Sequence, residues 1–545
     1  MKTDHALVAS LYCIALAFRL VPLLFSPLPF NIDGFPLAKI AQGMTASGAW
    51  RLDPSDVNSY NLKMPVYSLL WSAVSQLGGL DVLLGLQFVM PFVTSTVVLP
   101  AYLLAVKATR RPVAGFAAGL FIAIFGSFLF VTSAAMKEAV SLVVLPSVVL
   151  LFAERADPRK RGLALLLLLL LPFLHHLTTL LALGMVAALV VLGQARAIEQ
   201  RRFRWRSLFL DLATGPLPAL SAWAYYQAVD MGFLGAVTTA DAIALFLGIT
   251  VLLAASLARM RRPVPPRLGR PLAGPAHPIL VVPALAIGIL LLNERTSVFA
   301  GAIGTQGPLL PVLLAVAVLA GFAFVGYQLL RRTANRANEL VLAMLVAPTA
   351  LILFGFLRGL DPLSQALVYR TFDFLDYALA VLAGIGFVAA WSRLRGSRTA
   401  RLVLAAGFLG ALLATTPMVY NSQAVFGVDN VTTPAEFEAL AVLASLHPVN
   451  VTTDQRLANV ASWWFGLRTD VSLPILLRDN ASLSGHDYAL VLERWTSVGA
   501  QEHPAPNVVL PAFILERFLG EHRVVYAAGL PGDRILIVQL VAPAA

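Results

Sequence analysis

Charged and polar side chains that could do chemistry recur at the ends of long apolar segments. They are Asp33, Lys137, Glu138, His175, His176, Glu294, Tyr369 and Arg370, with Arg19, Arg295, Arg358, Asp361, Asp373 and Asp376 in similar positions. Ionisable groups are costly at membrane depth, so each one needs a partner or a task. Carboxylates can act as general bases or bind a divalent ion, arginines can hold a phosphate, and histidines can do either. Together these types could transfer a group from a lipid phosphate whose tail lies between helices.

The composition indicates which class of protein positions these side chains. Of the 545 residues, 58% are hydrophobic and 13% are charged, which is too little charge for the surface of a soluble protein of this length. The apolar residues form blocks of about 17–25 residues, the length that crosses a bilayer. The single cysteine, Cys13, lies inside the first block, which excludes disulfides and cysteine-based metal sites. We therefore predict an α-helical polytopic membrane protein.

The distribution of basic residues predicts the topology. The net charge of +11 does not indicate a nucleic-acid partner, because arginine and lysine are concentrated in short loops between apolar blocks. These loops are 107–111, 155–161, 196–206, 259–270, 331–336 and 393–401. Short cytoplasmic loops are enriched in lysine and arginine, so we assign all six loops to the cytoplasm. The protein is then a multi-pass protein of the cell membrane with its N-terminus in the cytoplasm, and the charged groups of the opening paragraph face outward.

This topology predicts about thirteen membrane spans in residues 1–417. They are 6–26, 82–106, 113–133, 139–153, 162–175, 177–194, 208–228, 240–258, 277–293, 309–329, 338–357, 371–392 and 401–417. The block 162–194 is divided into two spans at Pro172 and the histidine pair, because one tilted span would leave basic loops on both sides of the membrane.

Two segments are predicted to lie outside the cytoplasm. The first external loop, 28–80, contains the semi-apolar stretches 35–44 and 65–77, which are too short to span and are expected to lie along the outer interface. Residues 418–545 have the composition of a soluble protein, with short β-rich runs alternating with helical ones. We predict a small extracytoplasmic α/β domain there.

Each candidate residue also has a plain structural interpretation. Arg19 could extend to the outer headgroups, and Asp373 and Asp376 could pair with Arg370 across one helical turn. The Lys–Glu pair before the fourth span could cap that helix, and the two adjacent histidines could form a polar turn.

Four stretches carry a further signal. Asn-Ile-Asp-Gly-Phe-Pro-Leu-Ala at 31–38 follows the first span, and Ser-Ala-Ala-Met-Lys-Glu at 133–138 precedes the fourth. Glu294 lies between the ninth and tenth spans, and Arg370 at the start of the twelfth. This plan resembles the GT-C superfamily of membrane glycosyltransferases, in which a large first external loop carries an acidic motif and interfacial helices. Thirteen spans followed by an external domain look closest to the catalytic subunit of oligosaccharyltransferases.

The resemblance implies roles for these residues. Asp33 would be the catalytic or metal-binding acid and Glu138 the second acid, with Glu294 as a third candidate ligand of a divalent metal, Mg²⁺ or Mn²⁺. Arg370 would hold the phosphate of the donor. Substrate-binding roles are expected for the neighbouring polar residues Lys137, His175, His176 and Tyr369.

A fifth similarity lies in the C-terminal segment. Ser-Trp-Trp-Phe-Gly at 462–466 resembles a truncated form of the Trp-Trp-Asp-Tyr-Gly motif with which oligosaccharyltransferases read the acceptor asparagine. Trp463 and Trp464 are therefore candidate substrate-binding residues, although paired tryptophans in a small domain are more often core residues. Because the aspartate of the motif is missing, we favour a divergent glycosyltransferase over a genuine oligosaccharyltransferase.

Two classes of function follow. The first is an enzyme that moves a sugar or glycan from a polyprenyl-phosphate or polyprenyl-diphosphate donor to an external protein, lipid or polysaccharide. It requires Asp33 and Arg370 to converge in one outward cavity. The alternative is a transporter or flippase for lipid-linked sugars, or a non-catalytic assembly protein. A transporter is typically built with broken helices in both halves, and here Gly215, Pro216 and Pro218 interrupt only the seventh span.

Overall fold

The fold is taken from a computed structural model. It describes residues 2–232, 238, 240–241, 245, 248–254, 288, 309–330, 336–359, 362–394, 396–426, 429–501 and 508–540. Glu294, Arg295 and Asp361 lie outside the described residues, as does most of the predicted ninth span. The chain forms two compact units. The first unit consists of Met1–Arg19, Phe92–Thr132 and Lys137–Thr416, and the second of Leu20–Pro91, Ser133–Met136 and Pro417–Ala545.

Helices dominate both units. Up to residue 228 they are α1 (Lys2–Leu20), α2 (Gly34–Ser47), α3 (Ser59–Leu62), α4 (Val66–Gly78), α5 (Leu84–Thr94), α6 (Val98–Thr109), α7 (Pro112–Ile124), α8 (Gly126–Ser133), α9 (Lys137–Ala153), α10 (Pro158–Leu170), α11 (His176–Glu199), α12 (Trp205–Thr214) and α13 (Pro216–Ala228). Beyond residue 308 they are α14 (Leu309–Leu330), α15 (Arg336–Leu357), α16 (Pro362–Arg393), α17 (Arg398–Leu413), α18 (Pro417–Tyr420), α19 (Ser422–Phe426), α20 (Pro434–Ser445), α21 (Gln455–Phe465), α22 (Leu473–Arg478) and α23 (Ala512–Glu521).

Seven of the helical segments described are long and apolar enough to cross a membrane, or eight if one bent pair counts as a single span. They coincide with the predicted spans 6–26, 82–106, 177–194, 309–329, 338–357, 371–392 and 401–417, and the bent pair coincides with 113–133. The predicted spans 139–153, 162–175 and 208–228 are helical too, but as the shorter helices α9, α10 and the α12–α13 pair. The helical membrane class of the fold is confirmed, whereas the count of about thirteen spans and their orientation stay predictions.

One predicted span, 113–133, is broken at Phe125 into α7 and α8, whose axes differ by 62°. A break frees backbone carbonyls that an apolar environment cannot satisfy. Arg19, which is fully buried, donates to the carbonyls of Ile122 and Ala123 at 3.3 and 3.4 Å. Our interpretation that Arg19 extends to the headgroups is therefore wrong, because its guanidinium stabilises the carboxyl end of α7 inside the first unit.

The longest helix, α16, packs closely on its neighbours through glycines. A Cβ on Gly386 would lie 2.0 Å from the carbonyl oxygen of Phe322 in α14, and one on Gly384 would lie 2.6 Å from that of Ala114 in α7. Small residues at such crossings let helix backbones approach each other where lipid supplies no hydrophobic driving force. This packing holds α16, and with it Arg370, in a fixed position in the first unit.

A mixed sheet forms the centre of the C-terminal segment. Its strands are β1 (Val451–Thr452), β2 (Thr469–Asp470), β3 (Tyr488–Leu492), β4 (Arg523–Ala528) and β5 (Ile535–Gln539). Their order is β2-β1-β3-β5-β4, with β2, β1 and β3 parallel and β5 antiparallel to both β3 and β4. Strands β3 and β5 are buried, α20 packs against β4 and β5, and α21 packs against β2. The predicted α/β character of this segment is confirmed, and its location outside the cytoplasm stays a prediction.

A buried ion-pair network joins α20 to α21. Glu436 and Arg456, both almost completely buried, form two hydrogen bonds of 2.9 and 2.5 Å, and Arg494 donates a third to Glu436 at 2.6 Å. Burial alone raises the pKa of the Glu436 carboxyl, but the charges and hydrogen bonds of Arg456 and Arg494 outweigh it. The pKa of Glu436 is therefore below its ordinary value of 4.5.

We expect Glu436→Gln to lower the free energy of unfolding of this segment by about 3–5 kcal/mol at pH 7, because it leaves the buried Arg456 without its carboxylate. Since folding lowers the pKa of Glu436, the wild type keeps this stabilisation above about pH 4.5 and loses it as the pH falls further. The variant should show a flatter profile over the same range. Hydrogen exchange of α20 and α21 in the full chain, corrected for intrinsic rates between pH 3 and 7, measures both effects.

The exposed Glu438 on the same helix supplies the control. Glu438→Gln should change the stability by less than about 0.5 kcal/mol and leave the pH profile as in the wild type. Parallel pH profiles of Glu436→Gln and wild type would contradict the assigned role of the network.

Candidate functional site

Glu138 is the centre of a polar cluster in the first unit. It lies in the first turn of α9, where the helix dipole favours a carboxylate. Its Oε1 atom is 3.2 Å from Nε2 of His175 and 3.4 Å from Nη1 of Arg370. Glu138 and His175 are buried, whereas the Arg370 side chain is 43% exposed. The arginine can therefore meet both the carboxylate and a molecule arriving from outside the cluster.

His175 is held in place through both ring nitrogens. It caps the start of α11, and its Nδ1 atom lies 2.8 Å from Oγ1 of Thr178. That hydroxyl donates to Ser141 Oγ at 2.9 Å, and Ser141 in turn donates to the backbone carbonyl of Glu138 at 2.8 Å. The chain of hydroxyls fixes the imidazole so that Nε2 points at the carboxylate. The interpretation of the histidine pair as a satisfied polar turn therefore holds for the Nδ1 side of His175, while its Nε2 side belongs to the cluster.

The cluster is rich in positive charge. Lys137 and His176 lie close enough to interact electrostatically with its members, and the rings of His175 and His176 are 5.1 Å apart. Arg370 and Lys137 carry the positive charge of the cluster, and the two buried histidines add ring nitrogens beside the Glu138 carboxylate. Such an arrangement attracts an anion such as a phosphate more readily than it does a cation.

A further acid of α16, Asp373, connects this helix to α8. Ser127 of α8 donates to Asp373 at 2.8 Å, and Asp376, three residues further along α16, is also buried. Arg370, one turn before Asp373, reaches Glu138 on α9. These contacts link three helices, which goes beyond the bracing of a single helix that we considered from the sequence. Tyr369, beside Arg370, is 65% exposed.

Asp33 belongs to the second unit, at the start of α2. Its side chain is half-buried and forms no capping hydrogen bond to α2, so its carboxylate is not used by the helix. The turn before it is fixed by Asn31, which has a φ of 83° and accepts a hydrogen bond from the Asp33 amide at 2.9 Å. Asn31 is bound in turn to Asn430, through its backbone amide at 2.9 Å and its side chain at 3.2 Å.

The same turn packs on residues 133–136 of the second acidic motif. The amide of Gln87 joins the two segments, because it accepts from the backbone of Phe30 at 2.8 Å and donates to the carbonyl of Ser133 at 3.1 Å. A Cβ on Gly34 would lie 2.5 Å from Pro29 and 3.2 Å from Ala135. Asp33 belongs to the second unit, and Glu138 and Arg370 to the first, so the convergence of Asp33 with Arg370 stays a prediction.

The two tryptophans of the truncated motif lie at the end of α21. Both are half-buried, whereas the tryptophan of the domain core is Trp495. The Lys39 ammonium group lies 5.1 Å from the ring centre of Trp464, a distance typical of a cation–π contact. Trp464 lines a cavity of about 550 Å³ with Phe437 and Glu438. The pair is thus partly packed and partly accessible, and substrate binding by Trp463 and Trp464 stays a prediction.

The candidate metal ligands do not form a metal centre within the described residues. No three histidine, cysteine, aspartate or glutamate side chains come together in that part of the chain. The nearest charged group to Glu138 is the guanidinium of Arg370 at 3.4 Å, which fits a divalent ion poorly. A Mg²⁺ or Mn²⁺ ion therefore stays a prediction that depends on Asp33 and Glu294.

Several positioning residues were missed by the sequence analysis. Gln87 does give a signal, because an amide inside a predicted apolar span indicates a buried polar group. Asn430, Ser141 and Thr178 had no such signal, because isolated amides and hydroxyls are common near helix ends. Only the packing shows that they fix Asn31 and His175.

Comparison with solved structures identifies the architecture. An archaeal oligosaccharyltransferase from Archaeoglobus fulgidus, solved in the apo form, matches with a TM-score of 0.53 and 13% identity, covering 90% of this chain and 70% of that one. The chain has the GT-C fold. ArnT from Cupriavidus metallidurans bound to undecaprenyl phosphate matches with a TM-score of 0.48 and 13% identity over 98% of both chains. No family model and no curated protein sequence matches the chain. The GT-C resemblance of the sequence is thus confirmed at the level of the fold.

We expect Gly34→Ala to destabilise the turn that carries Asp33 by about 1–3 kcal/mol, because its new Cβ would overlap the rigid Pro29 ring. Hydrogen exchange of residues 28–47 measures this effect. Gly43→Ala, in the same helix with no atom within 4 Å of a new Cβ, is the matched control and should be neutral or slightly stabilising. Equal protection of the turn in both variants would show that the close approach at Gly34 does not hold it.

Proposed function

We propose that this protein is a glycosyltransferase that moves a sugar or glycan from a polyprenyl-phosphate or polyprenyl-diphosphate donor to an external acceptor. The observation that carries the proposal is the cationic cluster around Glu138 in a chain of the GT-C fold. The acceptor is a protein, a lipid or a polysaccharide. The donor tail would lie in the surrounding membrane.

Arg370 is the proposed phosphate clamp. Its guanidinium group can hold two phosphate oxygens at once, and its partly exposed side chain can reach a donor while Nη1 stays near Glu138. Lys137 adds a second positive charge to the same cluster, and the histidines add ring nitrogens that can form hydrogen bonds. Because charge grows on the phosphate as the sugar leaves, groups fixed around it stabilise the transition state more than the ground state.

Asp33 is the proposed base. As the acceptor oxygen or nitrogen forms its bond to the anomeric carbon, its proton passes to the Asp33 carboxylate. The bond between the anomeric carbon and the phosphate oxygen breaks, and its electron pair stays on the phosphate that Arg370 holds. Asp33 is suited to this step by its place at the start of α2, where its side chain makes no capping hydrogen bond to the helix.

The side of the membrane is part of the proposal. The arginine-rich loops support a cytoplasmic N-terminus and an extracytoplasmic C-terminal domain. The reaction would then take place on the outer face of the cell membrane.

We expect Asp33→Asn to lower turnover at least about a hundredfold, because the amide cannot accept the acceptor proton. Full-length protein in liposomes is supplied with a panel of polyprenyl-phosphate and polyprenyl-diphosphate sugars and with host membrane extract as the source of acceptor. Release of the lipid phosphate is followed with and without a chelator, which also tests the divalent metal. Asp53→Asn, an exposed aspartate of the same loop, is the control and should be fully active. Turnover that is equal in Asp33→Asn and wild type would remove Asp33 from the mechanism.

Substitutions of Arg370 test the clamp independently. Arg370→Gln should lower turnover about 10²–10³-fold, the usual effect of removing one group that stabilises transition-state charge. Arg370→Lys should recover part of the loss, since it keeps the charge but not the two-pronged geometry. Arg393→Gln, an exposed arginine at the other end of α16, is the control. A fluorescent donor that crosses the membrane without release of its phosphate would favour the flippase alternative.

A further inference from the structure

A second, unassigned cavity of about 430 Å³ lies in the first unit, on the arginine-rich side that we predict to be cytoplasmic. It lies where α9 ends, α10 begins and α11 ends. Its charged lining consists of Arg155, Arg161, Arg196, Arg202, Arg204 and Glu339. The proposed transferase reaction uses none of these residues.

Two buried acids order three of the arginines. Asp211 of α12 is 1% exposed and accepts two hydrogen bonds from Arg155, at 2.8 and 3.0 Å. Arg161 approaches the same carboxylate at 3.5 Å, and Arg196 pairs with Glu339. The cavity wall is therefore rigid, because its guanidinium groups are held by carboxylates behind them.

The remaining arginines leave the cavity with an excess of positive charge. Arg202 and Arg204 are exposed and form no ion pair within the described part of the chain. Arg161 Nε is buried, and it has no hydrogen-bond partner among the described residues. Arginine does not lose its proton in proteins, so five guanidinium groups face only two carboxylates at every physiological pH. The cavity is thus suited to an anion with several acceptor oxygens.

An apolar face lies directly beside the cavity. Trp205, Phe209 and Leu212 occupy positions i, i+4 and i+7 of α12, so they share one side of the helix. They are 66, 65 and 45% exposed. Exposed tryptophan and phenylalanine next to arginine are typical of a helix at the boundary between headgroups and acyl chains. Arg204 immediately precedes this helix, which connects the cationic cavity to a surface suited to a lipid chain.

We propose that this cavity binds the phosphate headgroup of an anionic phospholipid, whose acyl chain follows the exposed face of α12. The shared chemistry, a phosphate ester, could also come from a soluble molecule. The apolar face of α12 favours the lipid, because only a phosphate ester with an acyl chain can contact the cavity and this face together.

Full-length protein, purified in detergent without added lipid, is titrated with phosphatidylglycerol, phosphatidylcholine or glycerol 3-phosphate. The midpoint of thermal unfolding gives the apparent affinity of each. Phosphatidylglycerol should act at a concentration at least about tenfold lower than phosphatidylcholine does, since each basic residue near an anionic headgroup adds to the binding. Glycerol 3-phosphate should act far more weakly, because it lacks the chain.

Variants separate the cavity from general charge. Arg202→Gln with Arg204→Gln should abolish the preference for phosphatidylglycerol and leaves the arginines bound to Asp211 untouched. Arg393→Gln with Arg398→Gln removes the same charge from exposed positions in another arginine-rich loop and should keep the preference. Phe209→Ser should weaken the apparent affinity for phosphatidylglycerol but not that for glycerol 3-phosphate.

Three results would overturn the proposal. Wild type could show no preference between the two lipids, or both double variants could lose it equally, which would indicate a general effect of surface charge. Glycerol 3-phosphate could also act as strongly as phosphatidylglycerol, which would indicate a site for a soluble phosphate ester.

Discussion

The contact between Glu138, His175 and Arg370 determines much of what the first unit can do. A carboxylate buried among helices loses its hydration, and only close, well-oriented cations offset that cost. Here the cation, Arg370, and the hydrogen-bonding imidazole of His175 come from two other helices, so α9, α11 and α16 must meet at one place. The hydroxyl chain behind His175 and the glycine packing of α16 both serve this geometry. Because an apolar replacement of similar size would pack at lower cost, the polar cluster is better explained by function than by stability.

The same requirement accounts for the other buried charges. The guanidinium group of Arg19 lies on the carbonyls freed by the break between α7 and α8. Arg456 is held by Glu436 in the C-terminal segment, and Asp211 by Arg155 near the basic cavity. In each case a charge repairs a specific defect or orders a second charge. In the first unit these groups stabilise particular arrangements of helices, which hydrophobic packing in a membrane specifies only weakly.

The sequence was sufficient for the class of fold because that class depends on composition and block length. Apolar blocks predicted the membrane helices, and the change after residue 417 predicted the α/β segment. The break at Phe125 was not predictable, since no proline lies near it and Arg19, which satisfies the carbonyls beside it, is more than a hundred residues away. The interpretation that Arg19 extends to the headgroups failed because its carbonyl partners are far away in the sequence. The candidate residues around Glu138 were found from their types and positions, whereas their partners Ser141 and Thr178 depend on packing.

The turn before α2 shows how hydrogen bonds within the second unit hold the first acidic motif in place. Asn31 has a left-handed backbone that costs free energy for a residue other than glycine, and two hydrogen bonds that it donates to Asn430 help to hold it. Asn430 is itself bound to Ser422 at 2.8 Å, so the C-terminal segment sets the direction in which Asp33 leaves the turn. A carboxylate that must act as a base benefits from such support, because a loose turn would spend part of its time away from the reacting atom. The C-terminal segment thus holds the turn that carries Asp33 through the backbone of Asn31.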